Sequence, residues 1–243
     1  MPRLYVPELP SSPDTEFDLP DTAARHVQVL RLQPGDAVTV FNGQGGEWQA
    51  EVTAMGRKQV GVRLVQHDAV ERELDRPVVL AVVMPANDRM DTVVEKATEL
   101  GAWAIQPLMA SRSVLRLDGE RAARKVAHWQ GVAVAASEQS GRTRVPQVLP
   151  VQPLRQWLPT VPAEWARAVL SFAPQTGALD WVRAQKAGQT LCFLNGPEGG
   201  LSPEEVQQCL DTGWTPVGLG GRVLRADTAP LMALSLVAGL SST

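Results

Sequence analysis

The stretch LNGPEGGLSPEE, Leu194 to Glu205, joins an apolar strand pattern to the start of a helix. Ser202 is a favourable N-cap, Pro203 suits the first helical position, and Glu205 stands three residues after Ser202, which completes a capping box. Three glycines and one proline surround Glu198 before that helix begins. The stretch therefore predicts a strand, a loop and a helix, and the loop has a backbone that another molecule can approach closely.

The chain around this stretch alternates between strand and helix patterns from Val78 onward. Helical periodicity covers residues 88–101 and about 120–140, and each of these segments lies between two apolar runs. The expected strands are Val78–Met84, Trp103–Met109, Ala168–Phe172, Thr190–Asn195 and Pro216–Gly220. Such alternation predicts a mostly parallel sheet covered by helices. Ligands of open α/β sheets bind at the carboxyl ends of the strands, where the loop before Ser202 is expected to lie.

The first seventy residues have a different pattern, with short alternating segments at hairpin spacing. A short helix is expected over residues 21–32, and the strands over Ala37–Gly43, Glu47–Met55 and Gln59–Gln66. These features predict a small β-barrel-like unit. The charged segment His67–Pro77 reads as a linker, which gives an N-terminal domain of residues 1–72 and a C-terminal domain of residues 73–243.

Composition excludes several classes of protein. The 243 residues are 44% hydrophobic and carry a formal net charge of −3, so any contact with nucleic acid must be local. The two cysteines and three histidines lack metal-ligand spacing, and buried thiols in a reducing compartment are expected. The start of the chain resembles no leader, and no apolar run is long enough to span a membrane. A cytoplasmic protein without a metal or a membrane anchor is expected.

Common nucleotide and hydrolase motifs are missing. The sequence has no P-loop, no GxGxxG between a strand and a helix, no GxSxG and no HExxH. What stands out instead is two glycine-bearing loops at strand ends, NGPEGG (Asn195–Gly200) and GLGGRVLRADTAP (Gly218–Pro230). Such loops can be plain turns, but two of them in successive strand-to-helix connections favour a ligand site. Pattern alone predicts an α/β domain that binds a small ligand.

These loops also carry a family resemblance. NGPEGGLSPEE with LGGRVLRADTAPLMAL resembles the signature pair of the SPOUT RNA methyltransferases, and more narrowly the RsmE family of 16S ribosomal RNA uridine-N3 methyltransferases. Three further blocks agree in order along the chain. They are RHVQVLRLQPGDAVTVFNGQGGEW (Arg25–Trp48), DRMDTVVEKATELGAWAIQPLMASRSV (Asp88–Val114) and HWQGVAVAASEQSGRTRVPQV (His128–Val148).

The resemblance implies a fold and an activity. The fold would be a SPOUT trefoil-knot domain with a mostly parallel sheet, preceded by a small PUA-like, RNA-binding β-barrel domain. The activity would be methyl transfer from S-adenosylmethionine to N3 of a uridine in 16S ribosomal RNA, presented as free RNA or in the assembled small subunit. The family also implies a homodimer. The alternatives are a SPOUT methyltransferase with another RNA target, such as the ribose 2′-hydroxyl, and a non-catalytic RNA-binding protein.

The resemblance also implies roles for individual residues. Glu198 would lie near the transferred methyl group, although an acid in a glycine loop can instead cap backbone amides. Arg225 would stabilise charge on the base or a phosphate. The expected RNA contacts are Arg25, Arg31, Arg112, Glu138 and Arg142. The alternatives are a helix-end salt pair for Glu138, a solvated side chain for Arg142 and a charged surface without an RNA role for Arg112. The expected cofactor residues are Leu194, Asn195, Gly196, Pro197, Gly199, Gly200, Leu219, Gly220, Gly221, Val223, Leu224 and Ala229.

The sequence departs from the family pattern at a few positions. Ala86 and Asn87 stand where the family often has a Lys-Gly pair. Asn195 replaces a usual aliphatic residue, Gly221 a frequent Pro or Arg, and Asp227 a frequent Glu. None of these changes removes the two glycine loops.

Overall fold

The computed structural model describes residues 1–57, 59–86 and 89–241 and divides into two compact units. Unit 1 combines Met1–Glu73 with Ser137–Val145, and unit 2 combines Leu74–Ala136 with Pro146–Thr243. The sequence did not indicate that the segment Ser137–Val145 would pack with the N-terminal residues.

Unit 1 is built on a mixed five-stranded sheet. Its elements are β1 (Arg3–Tyr5), β2 (Glu16–Asp18), α1 (Asp21–Val29), β3 (Ala37–Phe41), β4 (Glu47–Met55) and β5 (Val60–Asp68). The strand order is β1-β3-β4-β5-β2, in which β1 runs parallel to β3 and the other pairs are antiparallel. Alternate residues of β5, namely Val60, Val62 and Leu64, are fully buried, as period-2 patterning predicts.

Residues 67–73 of the segment expected to be a linker are part of this unit, and residues 74–77 belong to unit 2. Strand β5 extends through Asp68, and three charged residues after it form ion pairs within unit 1. Glu71 binds Arg144, Arg72 binds Glu47, and Glu73 binds Arg142. The boundary between the two units lies inside this segment, between Glu73 and Leu74. The ion pairs of residues 71–73 could not be foreseen, because alternating charge does not show that charged residues have partners far along the chain.

Unit 2 is a parallel α/β structure. Its strands are β6 (Val78–Val83), β7 (Ala104–Met109), β8 (Gln147–Val148), β9 (Gln152–Pro153), β10 (Ala166–Leu170), β11 (Thr176–Gly177), β12 (Leu191–Asn195) and β13 (Thr215–Gly218). Its helices are α2 (Arg89–Glu99), α3 (Gly119–Ser140, whose last four residues count with unit 1), α4 (Leu154–Trp157), a 3₁₀ turn (Leu158–Thr160), α5 (Ala178–Arg183), α6 (Pro203–Asp211) and α7 (Thr228–Ala238). This arrangement confirms the expected fold class.

The sheet of unit 2 brings five strand ends to one edge. Its order is β11-β13-β10-β12-β6-β7-β8, with β9 also paired to β7, and all these pairs are parallel. The central strands β6 and β12 are buried along their whole length, which is typical of a sheet covered on both faces. Because the strands run in one direction, the loops after β13, β10, β12, β6 and β7 meet at the carboxyl edge.

Other sequence expectations concern burial and membrane association. Cys192 and Cys209 are buried free thiols, as expected, and burial raises the pKa of Cys209 to about 12. Among the described residues, no helix is both long and apolar enough to span a bilayer.

Candidate functional site

The first glycine loop connects β12 to α6 at the carboxyl edge. The amide of Gly200 donates to the carbonyl of Pro197 at 2.8 Å, and Gly200 has a φ of +67°, so a tight turn closes the loop. A Cβ atom at Gly196 would lie 3.1 Å from the amide nitrogen of Leu201, so the backbone folds tightly onto itself there. These glycines are needed for the turn and for the close approach of neighbouring backbone.

The expected capping box follows this loop and is confirmed. The amide of Glu205 donates to Ser202 Oγ, and Glu205 Oε2 accepts from the amide of Ser202 at 2.9 Å. Pro203 occupies the first helical position. The start of α6 is therefore fixed by local chemistry and gives the loop a rigid end.

The second glycine loop, between β13 and α7, is tied to the first by one buried side chain. Asn195 is 2% exposed, and its Nδ2 donates to the carbonyls of Ala226 (3.0 Å) and Gly196 (3.1 Å). Its Oδ1 has no hydrogen-bond partner among the residues described. An aliphatic residue could not make this link, so the departure from the family pattern at Asn195 joins the two loops.

The second loop itself is open. Gly220 has a φ of +95°, and a Cβ atom at Gly220 or Gly221 would meet nothing within 4 Å. Val223 is 81% exposed, and Leu219 and Leu224 are half-buried. The three apolar residues expected near the cofactor therefore lie beside two glycines whose Cβ positions face open space.

A third loop, Ser171–Gln175 after β10, completes this edge and was missed from the sequence. The amides of Ser171 and Gln175 donate to the carbonyls of Val217 (2.9 Å) and Pro216 (3.0 Å) on β13. Pro174 lies so close to Gly218 that a Cβ atom there would be 2.7 Å from its ring. The only signal for this loop in the sequence is that it follows a strand. Its position beside the two glycine loops depends on β10 lying between β12 and β13, which the sequence does not reveal.

Glu198 projects from the first loop toward the end of β6. Its Oε1 accepts from the amide of Ala86 at 3.0 Å and lies 3.6 Å from Arg89 Nη1. Arg89 Nε also lies 3.9 Å from Asp227 Oδ2, so one guanidinium faces acids from both glycine loops. Asn87, the other departure at this point, lies outside the described residues. Asp227 holds the N-cap position of α7, but its side chain accepts no capping hydrogen bond.

Arg112 contacts the first loop rather than open solvent alone. Its Nη1 donates to the carbonyl of Gly199 at 2.8 Å and reaches that of Leu201 at 3.4 Å. The preceding residue, Ser111, donates through its amide and its hydroxyl to the buried carboxylate of Glu205 at 2.8 and 3.0 Å. The loop after β7 is thus bound to the first glycine loop through Arg112 and to the first turn of α6 through Ser111.

Most of the expected cofactor residues lie together at this edge, and two stand apart. Leu194 is fully buried in the core of unit 2, so its side chain packs against the sheet and helices. Ala229 is half-buried in the first turn of α7, where its amide donates to the carbonyl of Arg225. The Arg225 side chain is exposed and makes no hydrogen bond or ion pair with any described residue.

The expected RNA contacts differ in exposure. Arg25 and Arg31 are exposed in unit 1. Arg142, however, is 4% exposed and ion-paired with Glu73, so the expected RNA-facing position is corrected to an interior one. Glu138 also turns inward, where its Oε1 accepts from the amide of Tyr5 at 2.8 Å.

Comparison with known proteins agrees with both units. Residues 72–238 match a family model described as an RNA methyltransferase domain, and residues 19–65 match one described as an RNA methyltransferase PUA domain. Ribosomal RNA small subunit methyltransferase E from Bacillus subtilis is 33% identical over 217 residues, which cover 87% of this chain and 84% of that protein.

Two solved structures are similar over the whole chain. One is ribosomal RNA small subunit methyltransferase E from Neisseria gonorrhoeae bound to S-adenosyl methionine, with 37% identity, a TM-score of 0.92 and coverage of 99% of this chain and 98% of that one. The other is a Legionella pneumophila protein in complex with the bound cofactor SAM, with 32% identity, a TM-score of 0.90 and coverage of 98% and 97%. The chain therefore belongs to the ribosomal RNA small subunit methyltransferase E family.

Proposed function

We propose that this protein transfers a methyl group from S-adenosylmethionine to N3 of a uridine in small-subunit ribosomal RNA. The observation that carries the proposal is the pair of glycine loops joined through Asn195 at the carboxyl edge of the parallel sheet. That edge is where α/β sheets bind their ligands. Family membership and the cofactor bound to the two similar structures support the same assignment.

The backbone of the loops suits S-adenosylmethionine. Side chains are absent at Gly199 and Gly221, where a Cβ atom would meet only ordinary contacts or open space. The buried Asn195 Oδ1 has no partner among the described residues and can accept a hydrogen bond. We assign cofactor binding to Asn195, Gly196, Pro197, Gly199, Gly200, Leu219, Gly220, Gly221, Val223 and Leu224, with apolar walls from the leucines and the valine.

Catalysis then requires little from the protein. When bound, the cofactor supplies a methyl group already activated on a sulfonium. The enzyme must hold uridine N3 in line with that methyl, remove the N3 proton and stabilise the charge that develops on O2 and O4. We assign charge stabilisation to Arg225, whose guanidinium is free of other described residues.

Glu198 belongs to the first glycine loop, and we propose that it lies close to the reacting base. Its contacts with the Ala86 amide and Arg89 fix its position. Glu198→Gln keeps an acceptor for the Ala86 amide and removes the charge. We expect kcat to fall while the Kd for S-adenosylmethionine changes little. A fall in cofactor affinity with kcat retained would assign Glu198 to the cofactor instead.

The substrate and assembly follow from the same proposal. We propose that exposed Arg25 and Arg31 of unit 1 contact RNA phosphates, either on free 16S ribosomal RNA or on the assembled small subunit. We further propose a cytoplasmic homodimer in which the partner completes the active site. Sedimentation equilibrium tests the dimer, and a monomer at the concentrations used for activity would contradict it.

The decisive experiment is a comparison of modified nucleosides. Ribosomal RNA from a deletion strain and from the same strain complemented with this gene is digested and analysed by mass spectrometry. We expect N3-methyluridine in small-subunit RNA only in the complemented strain. A new 2′-O-methylated nucleoside with no N3-methyluridine would support the ribose alternative, and failure of the purified protein to bind S-adenosylmethionine in calorimetry would support the non-catalytic one.

Arg225 gives a test of the catalytic assignment. Arg225→Ala should lower kcat by more than it raises the Kd for S-adenosylmethionine, because the charge it stabilises develops only during the reaction. The reverse pattern, with weak cofactor binding and normal turnover at saturation, would move Arg225 to the cofactor site.

A further inference from the structure

One guanidinium fixes the first glycine loop from outside. Arg112 Nη1 donates to the carbonyl of Gly199 at 2.8 Å and lies 3.4 Å from the carbonyl of Leu201. A single nitrogen atom therefore contacts two alternate carbonyls of the loop. Hydrogen bonds from a charged donor are stronger than those between neutral groups.

The opposite side of each of these peptide groups is also held. In a trans peptide the C=O and the following N–H point in opposite directions, and no cis peptide occurs among the residues that the structure describes. The amide of Gly200 shares its peptide with the Gly199 carbonyl and donates to Pro197 at 2.8 Å. The amide of Ser202 shares its peptide with the Leu201 carbonyl and donates to Glu205 Oε2 at 2.9 Å. Two peptide planes are thus fixed at both ends.

The amides of the neighbouring peptide groups have no hydrogen-bond acceptor among the described residues. The amides of Gly199 and Leu201 have no acceptor within residues 1–57, 59–86 and 89–241. Fixing the neighbouring planes limits the directions in which these two N–H groups can point. Backbone amides presented by a rigid loop are well suited to bind polar atoms of a small ligand.

Arg112 projects from a backbone that is itself anchored. Ser111 is bound by its amide and its hydroxyl to Glu205, which is 1% exposed. Arg116 Nη2 donates to the carbonyl of Ser111 at 3.0 Å. The backbone that carries Arg112 is therefore held in place on both sides, which favours a stable contact between its guanidinium and the loop.

We propose that Arg112 is a positioning residue for the cofactor, which holds the loop Gly196–Gly200 so that the amides of Gly199 and Leu201 are available to S-adenosylmethionine. This inference rests on the proposed function, since it specifies how the same site holds its cofactor. It assigns to Arg112 a role different from the RNA contact that was expected from the sequence.

The test compares three variants of the full-length protein. Arg112→Met keeps the aliphatic length and removes the donor. Arg112→Lys restores a cationic donor, and it should suffice in part because one nitrogen makes both contacts. Arg121→Met is the matched control, because Arg121 is an exposed cation of α3 that makes no hydrogen bond or ion pair in the described part of the chain.

We expect Arg112→Met to weaken S-adenosylmethionine binding in calorimetry by about tenfold or more, as loss of a charged hydrogen bond predicts. The KM for the cofactor should rise in step, while kcat at saturating cofactor and the affinity for RNA change little. Arg112→Lys should recover part of the affinity, and Arg121→Met should bind like the wild type. The thermal midpoints of the variants without cofactor should stay within a few degrees of the wild type.

Two results would overturn the inference. One is a Kd for S-adenosylmethionine within about twofold of wild type in Arg112→Met with weaker RNA binding, which would make Arg112 an RNA contact. The other is equal loss of cofactor affinity in Arg112→Lys and Arg112→Met, which would show that the donor is not what matters. If the wild-type protein itself bound no S-adenosylmethionine, the proposed function would fail instead.

Discussion

The glycines at the carboxyl edge have different reasons to be glycine. Gly200 and Gly220 have positive φ values, where any side chain is strained, and Gly196 lies against neighbouring backbone. Gly199 and Gly221 meet neither constraint, because their φ values are ordinary and a Cβ atom would fit. Local structure therefore explains why Gly196, Gly200 and Gly220 are glycines. Gly199 and Gly221 are the clearest evidence that a ligand comes close to the backbone.

Gly199→Val tests this distinction. The nearest atoms to an added Cβ are in the Arg112 side chain at 3.7 Å, so the variant should fold with little loss of stability. Cofactor binding should weaken by about tenfold or more because the added side chain occupies space that the ligand needs. Calorimetry with S-adenosylmethionine measures the effect.

The control for this substitution is Gly131→Ala in α3. Gly131 also has free space around its Cβ position, and alanine is the better helix former by about 1 kcal/mol, so a small gain in stability with unchanged cofactor affinity is expected. If Gly199→Val bound the cofactor as tightly as Gly131→Ala does, the loop would not approach the cofactor through Gly199.

Residue types at this site could be read from the sequence more reliably than their partners. The sequence indicated Glu198, Arg112 and Arg142 as functional, and all three take part in specific contacts. Their partners lie far away along the chain: Arg112 binds Gly199, and Arg142 binds Glu73. A pattern of charges carries no information about such pairs, so an interior arginine and a surface arginine look alike in the sequence.

Glu138 gives a pH-dependent prediction. Burial raises the pKa of Glu138 above its ordinary value of 4.5, although the Tyr5 amide, His26 and Arg3 oppose the change. The folded protein therefore holds this proton more tightly than the unfolded chain does. Its contribution to stability falls as pH rises from 4.5 through the raised pKa and is constant below 4.5. Glu138→Gln keeps an acceptor for the Tyr5 amide and removes this loss.

Urea unfolding of wild type and Glu138→Gln between pH 4 and 7 measures the effect. The free energy of unfolding of the variant, relative to wild type, should rise with pH. Glu71→Gln is the comparison of opposite sign. Burial acts to raise the pKa of Glu71, but Arg144 and Thr143 outweigh it and lower that pKa, so Glu71 stabilises the fold above pH 4.5. Parallel pH profiles for the two variants would contradict one of the two assignments, and the sign of the shared slope would show which.

At the scale of single elements, the sequence predicted those features that depend on contacts between residues a few positions apart. The capping box at the start of α6 links residues three positions apart, and it forms as predicted. The strands β1, β2, β8, β9 and β11 have only two or three residues each and were missed. Such short segments contain no complete period of an apolar pattern, so their pairing is set by the strands beside them.

The same capping box contains a carboxylate with a second role, which leads to a prediction. Glu205 accepts from the Ser202 amide and also from the amide and hydroxyl of Ser111. Glu205→Ala would leave buried donors without partners, so the free energy of unfolding should fall by about 3 kcal/mol. Ser202→Ala removes the cap and the hydrogen bond that Ser202 Oγ donates to Glu204, and it should cost about 1 kcal/mol.

Thermal and urea unfolding of the two variants provide the measurement. Glu204→Ala removes only the hydrogen bond from Ser202 Oγ to an exposed carboxylate, so it should change stability less than Ser202→Ala does. Cofactor affinity should fall in Glu205→Ala as well, because Ser111 would no longer anchor the loop that presents Arg112. If Glu205→Ala cost no more stability than Ser202→Ala, the contact with Ser111 would contribute little.

At the scale of the whole molecule, the sequence predicted the fold class and the family, and both are confirmed. It could not give the strand order of unit 2, in which β12 pairs with β6 and β10 lies between β12 and β13. The trefoil knot implied by the family stays a prediction. The assignment of Ser137–Val145 to unit 1 was also out of reach, because it depends on ion pairs between the segments before Leu74 and after Ala136.

The ion pair between Arg142 and Glu73 should contribute strongly to the stability of unit 1. Arg142 Nε donates to Glu73 Oε1 at 2.9 Å, and the two side chains are 4% and 11% exposed. Arg142→Met would leave a buried carboxylate without its partner, at a cost of about 3–5 kcal/mol. Hydrogen exchange should show loss of protection in unit 1 before unit 2.

The double variant Arg142→Met, Glu73→Leu is the matched control. It removes both charges and should recover much of the lost stability, because replacing both partners of a buried pair is far less costly than removing one. If the double variant were as unstable as Arg142→Met alone, packing around Arg142 rather than its charge would be responsible.

The assignment of Ser137–Val145 to unit 1 also has a consequence for biosynthesis. During translation, the chain through Glu73 leaves the exit tunnel well before Ser137 has been polymerised. At about 5–20 residues per second, the nascent N-terminal unit waits on the order of several seconds for its last segment. Through that interval Glu71 and Glu73 have no arginine partners from the later segment, so unit 1 can reach its native state only after residues 137–145 have emerged, although its first seventy-three residues are made long before.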